Sequence, residues 1–112
     1  MTDFYDLEGN LVSYETWARI FASDDRFLIG TKIPEKGVKV STVWIGLAWM
    51  LEVEEGGKPL IFETMVFGED KDDWDDLGCW RWASKEEAMA GHQKIVDDIR
   101  SGVLVLEHSS DD

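Results

Sequence analysis

Two side chains in this sequence have the chemistry of an acid and base couple. His92 recurs at helical spacing with Ala88, Met89, Ile95, Val96 and Ile99, so it should point at whatever that helix covers. Glu63 is a lone carboxylate inside the apolar run Leu60-Ile61-Phe62-Glu63-Thr64-Met65-Val66-Phe67. An imidazole and a carboxylate facing each other in a dry pocket can pass a proton, which makes Glu63 and His92 the candidate site of a small enzyme or ligand-binding domain. The plainer expectation is a core histidine with one ring nitrogen satisfied. Nothing in the spacing requires the two residues to meet.

The second candidate is a charge run. From Glu69 to Asp76 six of eight positions are acidic, with Trp74 in their midst. A calcium loop is not indicated, because the run lacks the glycine at its sixth position and the distal glutamate that such loops need. As a protein-binding element it has a simple logic. Trp74 would anchor, while Asp70, Asp72, Asp73, Asp75 and Asp76 would steer a basic partner. The bland alternative is a solvated connector with Trp74 tucked against the sheet. Cys79, the single cysteine, cannot form an internal disulfide and has no basic neighbour except Arg81, so an activated thiol is not expected. There is no glycine-rich phosphate cradle, nucleophile elbow or histidine-rich metal pattern. The expectation is therefore no catalytic residue, no metal, no cofactor and no enzymatic activity.

Charge narrows the partners. In 112 residues, 24 acids stand against 11 bases, a formal net charge of -13. Direct binding to DNA, RNA or an anionic membrane is disfavoured, since each phosphate contact needs a cation. A protein with a basic surface is allowed. The chain has neither a charged leader with an apolar core nor a run of about 18 apolar residues, so a soluble, cytoplasmic protein is expected. Its length suits one domain. Six tryptophans are many, and most should pack in the core or at sheet edges.

The elements that must hold these residues follow from the hydrophobic pattern. Val38 to Leu51 and Pro59 to Gly68 are long runs rich in β-formers around a Glu-Glu-Gly-Gly segment, which predicts an antiparallel hairpin with its turn inside Glu54 to Lys58. A two-residue turn near Glu55 and Gly56 would put Val43, Ile45, Leu47, Trp49 and Leu51 on the core face with Leu60, Phe62, Thr64 and Val66. Ile61, Glu63, Met65 and Phe67 would then occupy the other face, covered by a terminal segment or a second subunit. Before the hairpin, a turn at Glu8-Gly9-Asn10 predicts a small N-terminal clasp. Ser13 is an N-cap for a helix carrying Tyr14, Trp17, Ala18 and Phe21, and Arg26 to Ile33 reads as a strand. After the hairpin, Glu69 to Gly78 reads as a loop and Cys79 to Ala83 as a short strand. Ser84 and Glu87 form a capping box for a helix to about Arg100, and Val103 to Leu106 could add a last strand. The fold class is α+β: a three- to four-stranded antiparallel meander sheet with two helices, the C-terminal one packed on the sheet. A single domain should span 1–106, with a flexible acidic tail at 107–112.

The runs Val40-Ser41-Thr42-Val43-Trp44-Ile45-Gly46-Leu47, Pro59 to Gly68, and Arg81-Trp82-Ala83-Ser84 with Glu86 to His92 resemble a family of small bacteriophage and prophage proteins. The opening Phe4-Tyr5-Asp6-Leu7-Glu8-Gly9-Asn10 is similar too, so the resemblance extends from Thr2 to about Val96. It implies a phage-encoded protein of the host cytoplasm, and the family brings no function with it. Relatives often carry a histidine in a polar pair after the first strand, where this chain has Ala48 and Trp49. A two-histidine metal site with His92 is therefore not expected.

Three functions compete on these grounds. The first is an acidic accessory protein that binds a host or phage protein with a basic surface, for instance inhibiting a nucleic-acid-binding or defence protein. The second is the Glu63 and His92 site. The third is a homo-oligomeric assembly component, suggested by apolar residues on both faces of the sheet.

Overall fold

Hydrogen-bonded ladders of β-branched and aromatic residues dominate the computed structural model, which describes residues 2–49, 59–68 and 76–104. In chain order the elements are β1 (Thr2–Tyr5), β2 (Leu11–Val12), α1 (Tyr14–Phe21), β3 (Phe27–Ile33), β4 (Val38–Trp44), β5 (Leu47–Trp49), β6 (Phe62–Gly68), β7 (Asp76–Trp82) and α2 (Lys85–Ser101). The protein is α+β. A four-stranded antiparallel sheet runs β3-β4-β6-β7, α2 packs across it, and a smaller sheet of order β2-β1-β5 closes one end.

The local signals explain most of these boundaries. Ser13 accepts from the Thr16 amide at the start of α1, and Ser84 accepts from the Glu87 amide at the start of α2. In the N-terminal clasp, Asp6 Oδ1 accepts from the amides of both Glu8 and Asn10 and so folds the β1–β2 turn.

The long run after Val38 is not one strand, and Gly46 is the reason. Its φ is +64°, and a Cβ there would lie 2.2 Å from the Trp44 ring, so only glycine fits. The chain swings away at this point. The amides of Ile45 and Gly46 both donate to Ile61 O, and β5 leaves the large sheet to pair with β1.

That break corrects the expected faces. Trp44 lies opposite Phe62 and Thr42 opposite Thr64, so Val38, Val40, Thr42 and Trp44 share the buried face with Phe62, Thr64 and Val66. Val43 and Ile45 are only half-buried, while Ile61, assigned to the outer face, is fully buried just before β6. The strands pair antiparallel as expected, and the segment predicted to turn between them lies outside the described residues. β7 begins at Asp76, three residues before the predicted strand, and Val103 and Leu104 form no strand. On α2 the buried positions are Ala88, Gly91, His92, Ile95, Val96 and Ile99, so Met89 gives up its expected place to Gly91.

Two apolar clusters result. Ile33, Val38, Val40, Val66, Ile95, Val96 and Ile99 fill the space between α2 and the sheet. Trp44, Ile61, Phe62 and Ala88 form the second, against which Tyr5, Leu7, Trp17 and Ile20 lean from the N-terminal layer and Leu28 from β3. No helix among the described residues is long and apolar enough to cross a membrane.

Candidate functional site

His92 is fully buried and reaches across to the sheet, where two threonines meet it and a third stands behind one of them. Its Nδ1 lies 2.7 Å from Thr42 Oγ1 and its Nε2 2.9 Å from Thr31 Oγ1. Thr42 Oγ1 is in turn 2.6 Å from Thr64 Oγ1, which accepts from Trp82 Nε1 at 2.9 Å. The sheet register makes this possible: Thr31 lies directly opposite Val40, two residues from Thr42 on the same face of β4, and Thr42 lies directly opposite Thr64, so their side chains rise from one face. On the helix side, Gly91 admits the Trp82 ring. A Cβ at position 91 would lie 2.2 Å from it. Desolvation lowers the His92 pKa from its ordinary value of 6.5, which favours the neutral ring.

Glu63 stands on the opposite face, and the acid and base couple with His92 does not form. Its strand neighbours Phe62 and Thr64 point toward α2, so period-two alternation turns Glu63 away. There Glu63 Oε2 pairs with Arg81 Nε at 3.1 Å, its cross-strand partner, and accepts from Cys79 Sγ at 3.5 Å. The arrangement is a cross-strand ion pair on a sheet surface. Of the acidic run, Asp70, Asp72, Asp73, Trp74 and Asp75 lie outside the described residues, and Asp76 opens β7. Among the described residues no cluster of three or more His, Cys, Asp or Glu side chains could hold a metal ion.

The feature that sequence reasoning missed is an aromatic surface on the N-terminal layer. The rings of Tyr14, Trp17 and Phe21 follow one another along α1, with Trp17 stacked on Phe21 at 4.9 Å and Phe4 set against Tyr14 and Trp17 at 5.4 and 5.3 Å. The Arg26 guanidinium lies over the rings of both Phe21 and Phe27, at 4.7 and 4.1 Å. The helical spacing of Tyr14, Trp17 and Phe21 marked an apolar face. It did not show how much of the face stays exposed: Trp17 is half-buried against the Trp44 cluster, while Tyr14 is 58% exposed, and Leu11 on β2 and Phe27 on β3 are 69% and 55% exposed. A second surface feature is a groove of about 540 Å³ between α2 and β7, floored by Trp80, Trp82 and Gly91 and rimmed by Glu87, Lys94 and Asp98.

Comparison with known proteins found no matching family model, no similar curated protein and no similar solved structure.

Proposed function

We propose that this is a non-enzymatic accessory protein that acts by binding another protein with a basic surface. The observation that carries the reading is the set of large apolar side chains left exposed in the N-terminal part of the chain, Leu11, Tyr14, Phe21 and Phe27, the last two bridged by Arg26, since exposed apolar side chains gathered in one part of a small domain mark contact surfaces. The net charge of -13 adds the sign of the partner, because a basic surface would be drawn in and a nucleic acid repelled. The resemblance to phage and prophage proteins supplies a context: a host nucleic-acid-binding or defence protein is the kind of target such an accessory protein would block. The Glu63 and His92 alternative loses its support, as the two side chains lie on opposite faces of the sheet.

The test is a capture experiment in nuclease-treated bacterial host lysate, at low and high salt. It compares the wild type with a Leu11→Ser, Phe27→Ser double variant that melts normally. A protein held by the wild type at low salt, released at high salt and lost with the variant supports the reading. If nothing is retained at either salt, it fails. Light scattering on the purified protein covers the remaining case, since a dimer abolished by the same variant would move the surface to self-association.

A further inference from the structure

We propose that the His92, Thr42 and Thr64 side chains form a one-directional hydrogen-bonded clasp between α2 and the sheet, which closes only when His92 is neutral with its proton on Nε2. The direction follows from counting protons. An indole N–H can only donate, so Thr64 Oγ1 accepts from Trp82 Nε1. Thr64 has one proton of its own, and its other hydrogen-bond partner is Thr42 Oγ1 at 2.6 Å. Thr42 therefore receives that proton and turns its own toward His92 Nδ1, 2.7 Å away. Nδ1 must be the bare, accepting nitrogen. The ring proton is left on Nε2, where Thr31 Oγ1 accepts it at 2.9 Å, and Thr31 is half-buried with room to direct its hydroxyl outward. Every member of the chain is satisfied in this order.

A second proton on His92 cannot be accommodated. Nδ1–H would force Thr42 to reverse and donate to Thr64, which already takes the indole, and the Thr64 proton would lose its acceptor. Among the described residues an imidazolium would also lack a counter-charge. The residues that face it are Thr31 of β3, Val40 and Thr42 of β4, Thr64 of β6 and Trp82 of β7, none of which ionises. Glu63 and Arg81 are paired with each other on the far side of the sheet. The unfolded chain binds this proton more readily than the folded one. The clasp's contribution is thus complete above the ordinary histidine value of 6.5 and is lost as pH falls below it.

Two measurements test the clasp. The first is long-range 15N–1H correlation of the His92 ring in the wild type near pH 8, followed through acid titration. Protonation on Nε2, with titration below the ordinary value, is expected. An Nδ1–H tautomer, or titration at or above the ordinary value, would overturn the proposal. The second compares denaturant midpoints of the wild type and His92→Gln from about pH 8 to about pH 5.5. Gln offers Thr42 an acceptor and does not titrate, and the carboxylates and His108 are common to both proteins. The wild-type midpoint should fall relative to that of the variant as pH drops, whereas parallel profiles would overturn the proposal. Should His92→Gln fail to fold, the wild-type ring measurement alone decides.

Discussion

Helix α2 buries six of its residues against the sheet, whereas α1 buries none, although the side chains on its apolar face are larger. The difference lies in shape and length. Branched aliphatics at 95, 96 and 99 interdigitate with Val38, Val40 and Val66 on a pleated surface, and they close it completely. α1 has only eight residues, about 12 Å of helix, and it carries flat rings that stack on one another more than on the sheet. The N-terminal layer is fastened instead by indoles: Trp17 Nε1 donates to Ile45 O at 2.9 Å, and Trp44 Nε1 donates to Asp6 O at 3.2 Å. A core closed by interlocking aliphatics should open only with the whole fold, while a layer held by a few anchors should open locally and at lower free energy.

The largest effect should come from the residue where the two regions join. Phe62 is fully buried beside Trp44 and Ala88, and Phe62→Ala is expected to destabilise by about 3–5 kcal/mol through lost transfer energy and the cavity left behind. Denaturant melts read this directly. A loss below about 1 kcal/mol would show that the aromatic layer can collapse into the gap and that the two regions are less distinct than their packing implies.

Next comes the tight side of the comparison. Gly91→Ala would gain about 1 kcal/mol of helix propensity. Its methyl would, however, sit 2.2 Å from the Trp82 ring, which the bond to Thr64 holds in place. Overpacking of this kind costs about 1–3 kcal/mol, so a net loss of up to about 2 kcal/mol is expected. A raised melting midpoint would mean that Trp82 steps aside freely and that the α2 side is not the rigid one.

How much of this was legible in the sequence depends on whether a local signal carried it. The Ser84 N-cap of α2 and the pairing of β4 with β6 needed only local pattern, and both are present, although Glu87 accepts from the Ser84 hydroxyl instead of closing the expected box. The register was not legible, because it is set by Gly46: a single residue at positive φ diverts β5 to another sheet, and the position of a turn no longer fixes which faces match. Glu63 keeps the outward face that alternation along its own strand assigns it, and what the sequence could not show is its neighbour there, since the β6–β7 pairing sets Arg81 beside it. His92 was legible as a buried helix residue. Its three threonine partners were not, being 61, 50 and 28 positions away in the chain: Thr31 and Thr42 by direct contact, and Thr64 through Thr42.

A smaller effect is expected on the loose side. Trp17→Phe keeps a ring in the stack but removes the bond to Ile45 O, which should cost about 0.5–1.5 kcal/mol. Amide exchange distinguishes where the loss falls. Faster exchange across β1, β2 and α1 with unchanged protection in α2 fits two regions of unequal stability, and uniform acceleration through α2 would mean that they open as one unit.

The smallest effect on stability should be that of Leu11→Ser, and its smallness carries the point. Leu11 is 69% exposed on β2, the outermost strand of the small sheet, so the folded state loses little buried surface when its side chain is cut back. The melting midpoint should move by no more than about 0.5 kcal/mol in equivalent free energy, as for most surface substitutions. Under the proposed function the exposed side chain would serve a contact outside the chain and contribute little to folding. Leu11→Ser should therefore weaken capture of a basic partner while leaving the melt unchanged. A loss above about 1 kcal/mol would instead place Leu11 in the packing of the N-terminal layer and remove it from the proposed contact surface.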